Sequence, residues 1–291
     1  MKLVIAATPK VALPTITQLS KSHEILLVTQ PDSASGRGKK IQPTEIGAIF
    51  PEAHKPESEA ALQELLRGAD LLITIGYGRL LPETVINTAK FGGINLHFSL
   101  LPKWRGAAPV QRAIEAGDKI TGVSVFQMDK GMDTGPIWVQ KDFAIQENTS
   151  ASQLFEALSI LGSSAVLETL IAIQNGESPS IQLGEPSIAK KVSKLECIVD
   201  WNSDAVSIVR KIKAFSFNPG STSVIRNESI KLNDAIWSPI QLRVGELSPK
   251  GEVGAINGSV QLLNVTPAGK RPMNIKDWLN GFKPVPGDVF G

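Results

Sequence analysis

Short apolar runs alternate with helical patterns in the first half of the chain, and this alternation limits the folds open to it. The run from Lys2 to Ala7 precedes a helical pattern at Val11 to Leu19, and Ile25 to Thr29 is a second apolar run. Strands of a parallel sheet are buried on both faces, so they are apolar almost throughout. The β-α-β order therefore predicts an α/β domain with a mostly parallel sheet covered by helices.

The alternation continues towards the middle of the chain. Helices are predicted at Glu57 to Gly68, Pro82 to Thr88 and Ala107 to Ala116, and strands at Asp70 to Ile75, Gly93 to His97, Thr121 to Met128 and Ile137 to Ile145. Ligands of such sheets bind beyond the carboxyl ends of the strands. Asn95 and His97 end a predicted strand and share one of its faces, so they lie where a ligand is expected.

The last part of the chain has a different pattern. Ser152 to Asn175 has the apolar spacing of a long helix, and the Pro-containing stretch that follows is polar and aperiodic. After a helix at Ala205 to Phe215, short strands are predicted at Ser221–Arg226, Ser229–Ile236, Gly251–Ile256 and Ser259–Val265. They indicate a small antiparallel β-barrel. We expect a catalytic domain at 1–177, a linker at 178–205 and a barrel at 206–291.

Charge and composition narrow the class of protein. From Val206 onward the chain has eleven basic and six acidic residues, a net charge of +5, while residues 1–205 carry −3. The basic C-terminal part suggests an anionic partner such as nucleic acid, although a solvated surface would explain it too. The single cysteine, Cys197, suits a reducing compartment. With neither a signal peptide nor a membrane-spanning run, we expect a cytoplasmic protein.

Two glycine-containing segments do not match nucleotide-binding motifs. Gly76-Tyr77-Gly78 lacks the third glycine of the dinucleotide fingerprint. The Gly36-Arg37-Gly38-Lys39-Lys40 run lacks the spacing and the hydroxyl of a P-loop. We therefore expect neither an NAD site nor an ATP site.

The polar residues around the predicted strand at Gly93 to His97 suggest acyl-transfer chemistry. Asn95, His97 and Ser99 lie close together in the sequence, and Asp133 follows in a predicted loop flanked by glycines. An amide can stabilise an oxyanion, an imidazole can move a proton, and a carboxylate can orient the imidazole. An Asn-x-His pattern alone is weak evidence, because the histidine can equally be structural. The other two histidines, His23 and His54, have the surroundings of surface residues.

Three longer motifs carry a resemblance to a known family. They are Asn95-x-His97-x-Ser99-Leu100-Leu101-Pro102, Arg105-Gly106-Ala107-Ala108-Pro109 and Asp133-Thr134-Gly135. With them the chain resembles the methionyl-tRNA formyltransferases, which belong to the folate-dependent formyltransferase superfamily. The resemblance runs from Met1 to Gly291. It implies a Rossmann-like domain followed by an OB-like barrel, and transfer of a formyl group from 10-formyltetrahydrofolate to the α-amino group of initiator methionyl-tRNA.

The resemblance also implies roles for particular residues. Asn95, His97 and Asp133 would be catalytic, and no metal would be needed. Ser99, Leu100, Leu101 and Pro102 match the folate-contacting loop, while Arg37, Lys39 and Lys40 lie in the loop that would contact tRNA. We expect a monomer with folate and initiator methionyl-tRNA as partners. Ala7 and the short segment between Thr44 and Glu57 depart from the family pattern.

Other functions stay open on the sequence. Glycinamide ribonucleotide and sugar-amine formyltransferases would use the same catalytic residues. The former generally lacks a second domain, and the latter has no need of the basic loop at Gly36 to Lys40. A catalytically inactive RNA-binding protein with this fold would not need the intact Asn95, His97 and Asp133 set.

Overall fold

The computed structural model describes residues 1–35, 40–216 and 219–291. These residues form two compact units. The first unit contains Met1–Pro109, Ile120–Ala144 and Phe155–Ala189. The second contains Val110–Lys119, Ile145–Leu154 and Lys190–Gly291.

The helices and strands follow in chain order. The strands are β1 (Lys2–Ala7), β2 (Glu24–Val28), β3 (Ser33–Ser35), β4 (Lys40–Gln42), β5 (Leu71–Ile75), β6 (Gly93–His97), β7 (Arg105–Gly106), β8 (Ile120–Gln127), β9 (Ile137–Ala144), β10 (Ile188–Ala189), β11 (Ser221–Ile225), β12 (Glu228–Ser238), β13 (Glu252–Ala255), β14 (Gly258–Pro267) and β15 (Met273–Asn274). The helices are α1 (Leu13–Leu19), α2 (Glu45–Ile49), α3 (Glu59–Leu66), α4 (Glu83–Ile86), α5 (Pro109–Ala116), α6 (Ala151–Gln174), α7 (Ala205–Phe215) and α8 (Ile275–Phe282).

A six-stranded sheet forms the centre of the first unit. Its order is β2-β1-β5-β6-β8-β9, in which β2, β1, β5 and β6 pair in parallel, while the β6-β8 and β8-β9 pairs are antiparallel. All five residues of β5 are buried, as a strand covered on both faces requires. The prediction of a Rossmann-like, mostly parallel sheet is confirmed. Because β5 and β6 run in parallel, β6 delivers Asn95 and His97 to the carboxyl edge of the sheet.

Helix α6 is the longest helix among the described residues. By length and composition it could cross a membrane, but half of its most apolar window is buried inside the protein. Leu158, Ala165 and Val166 are fully buried on one side, while Ile160 and Ile171 are 64% and 57% exposed. Gly162 lies on the side chain of Leu96, since a Cβ there would be 2.7 Å from Leu96 Cδ2. We interpret α6 as a core helix that covers the strand carrying His97.

The second unit contains an antiparallel sheet in the order β11-β12-β14-β13, with β15 paired to β14. Register shifts on either side of Asp234 bend β12, as β-bulges do. Helix α7 begins at the N-cap Asp204 and packs Ile208 and Ile212 into the core of this unit. The predicted small antiparallel β domain is confirmed, and each strand lies within two residues of its predicted bounds.

Some elements lie outside the pattern that the sequence predicts. The helices α2 and α8, the β3-β4 hairpin and the two-residue strands β7, β10 and β15 are additional to the prediction. Strands β7 and β10 pair in parallel, Arg105 with Ile188 and Gly106 with Ala189. This short pairing joins the motif after His97 to the polar stretch that follows α6.

Candidate active site

Strand β6 presents the first two predicted catalytic residues. Asn95 and His97 are two positions apart, so their side chains lie on the same face of the strand. Asn95 is partly buried, and its carboxamide has no hydrogen-bond partner within residues 1–35, 40–216 and 219–291. Hydrogen bonds to β5 and β8 hold the strand on both sides. The free carboxamide of Asn95 can therefore donate to a bound carbonyl oxygen.

His97 is 6% exposed, and both of its ring nitrogens face protein oxygens. Nε2 lies 2.9 Å from the carbonyl oxygen of Trp104. A carbonyl oxygen can only accept, so Nε2 carries a proton in this arrangement. Nδ1 lies 3.6 Å from Asp133 Oδ2. A second proton, on Nδ1, would therefore point towards a carboxylate oxygen.

Asp133 reaches His97 from the loop between β8 and β9. Its Oδ2 accepts a 2.7 Å hydrogen bond from the N–H of Gly106. Its backbone has φ +55°, a left-handed conformation that aspartate tolerates better than most residues. Asp129 stabilises the same loop by accepting from the N–H of Gly131 at 3.0 Å and from the hydroxyl of Thr134 at 2.8 Å. The sequence prediction that His97 and Asp133 lie together agrees with this geometry.

The loop after Asp133 requires a glycine at position 135. A Cβ at this position would lie 1.8 Å from the backbone carbonyl oxygen of Gln127, a distance that no real contact reaches. The N–H of Gln127 donates to the carbonyl of Pro136, so the two chain segments are tied together at this point. The close approach of the segments fixes where Asp133 enters the site.

The Ser99 to Pro102 loop is held by hydrogen bonds to other residues of the chain. The hydroxyl of Ser99 donates to Lys103 O at 2.6 Å, and the N–H and C=O of Leu101 bond to Ser124 and Gln140. Ser99 is fully buried and Leu101 is 4% exposed. These groups give the loop a fixed shape next to His97. Its contact with folate stays a prediction.

The predicted tRNA-contacting residues are only partly described. Arg37 and Lys39 lie outside the described residues. Lys40 is exposed and begins β4, where it pairs with Ser35 across the hairpin. The structure therefore does not bring Lys40 together with His97 through any hydrogen bond or ion pair among the residues that it describes.

Four groups that hold the predicted catalytic residues or their partners are not predicted by the sequence. They are the carbonyl of Trp104, the N–H of Gly106, and the side chains of Gln182 and Ser187. Two of these groups are main-chain atoms, which no side-chain pattern marks. The other two belong to the polar stretch after α6, which has no periodicity. Gly106 lies within the Arg105 to Pro109 motif, and that motif is the sequence feature that could have pointed to its role.

The second unit has a cleft of its own. It has a volume of about 210 Å³, and Lys119, Arg210 and Trp237 line it together with Asp118 and Glu147. All of its lining residues belong to the second unit, and none of them is a predicted site residue. Across the described part of the chain, there is no group of three or more His, Cys, Asp or Glu side chains arranged to hold a metal ion.

Two family models match the chain. The formyl transferase model matches residues 1–170, which contain Asn95, His97 and Asp133. The model of the formyl transferase C-terminal domain matches residues 191–283. The chain belongs to the formyl transferase family. The predicted enzyme class is thus confirmed for both parts of the chain.

Curated relatives extend this match to the full length. The chain is 35% identical to a methionyl-tRNA formyltransferase from Clavibacter sepedonicus, over 97% of each chain. It is also 35% identical to a methionyl-tRNA formyltransferase from Coxiella burnetii, over 100% of this chain and 99% of the relative. The predicted resemblance to methionyl-tRNA formyltransferases is confirmed.

Solved structures agree on the fold. HypX from Aquifex aeolicus, in complex with tetrahydrofolic acid, has a TM-score of 0.72 and 18% identity. The match covers 97% of this chain but only 47% of HypX, so the chain spans about half the length of that protein. WlaRD, a sugar 3N-formyl transferase studied with dTDP and 5-N-formyl-THF, has a TM-score of 0.67 and 19% identity over 93% of this chain and 99% of its own.

Proposed function

We propose that this chain transfers a formyl group from 10-formyltetrahydrofolate to the α-amino group of methionine esterified to initiator tRNA. The proposal rests on one observation: the chain is 35% identical to methionyl-tRNA formyltransferases over 97% of its length. The geometry supports it, because Asn95, His97 and Asp133 meet within the part that matches the formyl transferase domain.

The reaction makes modest demands on the protein. An α-amino group has a pKa of about 8, so much of it is unprotonated near neutral pH and needs no strong base. The bound folate supplies the formyl group, and attack by the amine places negative charge on the formyl oxygen. The departing folate nitrogen requires a proton. The residues of the chain must therefore stabilise an oxyanion and manage one proton.

Asn95 suits the first task. Its carboxamide is free of hydrogen bonds among the described residues and is held on a strand within the sheet. An amide that is fixed before the substrate binds does not need to reorganise as charge develops on the oxygen. We assign Asn95 as the oxyanion donor.

His97 and Asp133 suit the second task. The carbonyl of Trp104 holds Nε2, and the carboxylate of Asp133 faces Nδ1 across 3.6 Å. A proton on Nδ1 would point at this carboxylate, so the imidazole has a counter-charge beside it when it handles the proton of the reaction. We assign His97 as the proton carrier and Asp133 as its orienting charge.

The remaining predicted sites belong to the two substrates. The fixed, largely apolar loop from Ser99 to Pro102 offers the partly exposed side chain of Leu100 as packing surface for the pterin of folate, while the buried Leu101 holds the loop in place. Arg37, Lys39 and Lys40 would bind phosphates and unpaired bases at the tRNA acceptor end. The excess positive charge after Val206 would add diffuse attraction for RNA. We propose a cytoplasmic monomer.

The direct test is a formylation assay with purified wild-type chain. The assay combines 10-formyltetrahydrofolate with initiator tRNA charged with methionine, and formyl-methionine is measured after ester hydrolysis. A dTDP-linked amino sugar and glycinamide ribonucleotide serve as alternative acceptors in parallel reactions. We expect formylation of methionyl-tRNA alone. Turnover of the amino sugar without turnover of methionyl-tRNA would show that the acceptor is wrong.

A further inference from the structure

The segment from Ser180 to Ala189 passes the candidate site with most of its side chains exposed. Ile181 and Leu183 are 76% and 78% exposed, whereas Gln182 between them is partly buried. We propose that Gln182 is a positioning residue for formyl transfer, which holds the Asp133 loop and Arg105 in the geometry that His97 needs. The inference rests on the proposed function.

The carboxamide of Gln182 connects two segments that are distant in sequence. Its Nε2 donates to the main-chain oxygens of Asp133 at 2.9 Å and Gly135 at 2.8 Å. Its Oε1 accepts from Arg105 Nε at 3.2 Å and from Arg105 Nη2 at 2.6 Å. One side chain thus bonds to both ends of the Asp133-Thr134-Gly135 turn and to the residue before Gly106.

The orientation of this amide is determined by its partners. Carbonyl oxygens only accept and a guanidinium only donates, so the amide nitrogen must face the loop and the amide oxygen must face Arg105. Both N–H donors and both acceptor positions of Gln182 are then in use. A glutamine with all of its hydrogen-bonding capacity committed to two loops acts as a rigid connector between them.

The two loops are the ones that carry the partners of His97. Asp133 has φ +55°, so its conformation needs support from the surrounding structure. Its Oδ2 is bonded to the N–H of Gly106, which follows the Arg105 side chain that Gln182 holds. Gln182 therefore fixes the backbone of Asp133 and the position of the donor that orients its carboxylate.

Ser187 supports the other ring nitrogen of His97. Its hydroxyl accepts from the N–H of Trp104 at 2.9 Å, and its carbonyl accepts from the N–H of Arg105 at 2.8 Å. The carbonyl of Trp104 is the partner of His97 Nε2. Hence both partners of the imidazole are positioned by residues 182–187, although this segment contributes no side chain to the imidazole itself.

Loss of this support should affect turnover more than substrate binding. Gln182 bonds to Asp133 and Gly135 through their main-chain oxygens, and among the hydrogen bonds of the described residues none joins it to Asn95 or His97. A displacement of about 1 Å in a catalytic group can lower turnover on the order of 10²-fold. We therefore expect Gln182→Ala to lower kcat between about 10-fold and 10²-fold, with KM for both substrates within about twofold of wild type.

The experiment compares Gln182→Ala with Gln182→Glu, which keeps an acceptor for Arg105 but loses both donors to the loop. Gln174→Ala, at the exposed end of α6, is the matched control and should match wild type. Kinetics of methionyl-tRNA formylation and thermal unfolding are measured for each protein. Should Gln182→Ala fail to fold, the glutamate variant decides, and it should show the same loss in kcat.

A double-mutant cycle separates positioning from general loss of structure. In an Asp133→Asn background, Gln182→Ala should lower kcat by less than about threefold, because it acts through the residue already changed. An unchanged kcat in the single variants, or losses that multiply fully in the double variant, would overturn the role of Gln182. If the wild-type chain does not formylate methionyl-tRNA, the proposed function is wrong, and so is the positioning role that rests on it.

Discussion

Asn95 is the residue whose substitution tests the proposed chemistry most directly. Its side chain has no hydrogen-bond partner among the described residues, so Asn95→Ala removes a donor without disrupting a network. We expect kcat to fall on the order of 10²–10³-fold, as for a lone oxyanion donor, with little change in Tm. Steady-state formylation kinetics measure this. Asn87→Ala, at the exposed end of α4, is the control, and near-wild-type kcat in Asn95→Ala would contradict the assignment.

Asp133 permits a second test at the residue scale. Asp133→Asn keeps a side chain that can accept from Gly106, but it removes the negative charge 3.6 Å from His97 Nδ1. We expect a lower kcat in steady-state formylation kinetics, because the imidazole of His97 loses the charged group that faces its Nδ1. Asp142→Asn, exposed on β9, is the control. If the kcat of Asp133→Asn equals that of wild type, then Asp133 only shapes its loop.

Individual residues differ in how far the sequence can predict them. Asn95, His97 and Asp133 could be found because their side chains carry chemistry and lie next to apolar strands. Gln182 could not, because its hydrogen bonds to Asp133 and Arg105 span 49 and 77 residues. Nothing local in an exposed, aperiodic segment signals bonds of that range. The main-chain donor of Gly106 has no side chain to identify it at all.

At the scale of elements, the length and burial of each segment decided what could be predicted. Strands β5 and β6 and helices α6 and α7 are long or strongly patterned, and they lie close to their predicted bounds. Strands β7 and β10 contain two residues each, too few for any periodicity. Helix α8 does carry a local signal in its sequence: the side chain of Asn274 accepts from the N–H of Lys276, as an N-cap does.

The turn between β8 and β9 gives a prediction at this scale. Gly135→Ala would place a Cβ 1.8 Å from Gln127 O, so the turn must move. We expect a loss of about 1–3 kcal/mol in the free energy of unfolding and a lower kcat, since the turn carries Asp133. Gly281→Ala in α8 meets no atom within 4 Å and should stay within about 1 kcal/mol of wild type. Urea unfolding measures both, and equal midpoints would refute the steric argument.

The link between α5 and the segment after β10 gives a pH-dependent prediction. The N–H of Ser193 and the guanidinium of Arg112 lower the pKa of Glu196 from 4.5 to about 2. A carboxyl whose pKa is lower in the folded state stabilises the fold above its unfolded value, and this contribution is lost as the pH falls through the folded value. The window is therefore about pH 4.5 down to about pH 2.

Glu196→Gln should remove this stabilisation. The carboxylate is 40% exposed, so solvent screening limits the effect at pH 7 to about 1 kcal/mol. Urea unfolding at pH 7 and pH 3 should show a difference between wild type and Glu196→Gln that shrinks at the lower pH. Glu228→Gln, an exposed hairpin residue, is the control. A difference that stays constant with pH would exclude a role of the Glu196 charge.

At the scale of the whole molecule, the two units are not consecutive pieces of chain. The second unit includes Val110–Lys119 and Ile145–Leu154 as well as the C-terminal part. A Cβ at Gly117 would lie 2.5 Å from the guanidinium carbon of Arg210, so residues before and after Val206 pack closely within that unit. Truncation at Val206 would expose those surfaces. Point substitutions of surface charges are therefore the better test of RNA binding by the C-terminal part.

Lys270, Arg271 and Lys276 are exposed and have no ion pair within the part of the chain that the structure describes. Neutralising all three to Gln should weaken binding of methionyl-tRNA and flatten the dependence of log Kd on log salt by up to about 0.9 for each phosphate that the protein no longer neutralises. Binding of tetrahydrofolate should not change, because it involves no tRNA phosphate.

The matched control neutralises Lys10, Lys21 and Lys90, which are exposed in the first unit. Both affinities are measured at several salt concentrations. An unchanged salt slope in the C-terminal variant, or an equal change in the control, would show that the excess charge after Val206 is ordinary solvated surface.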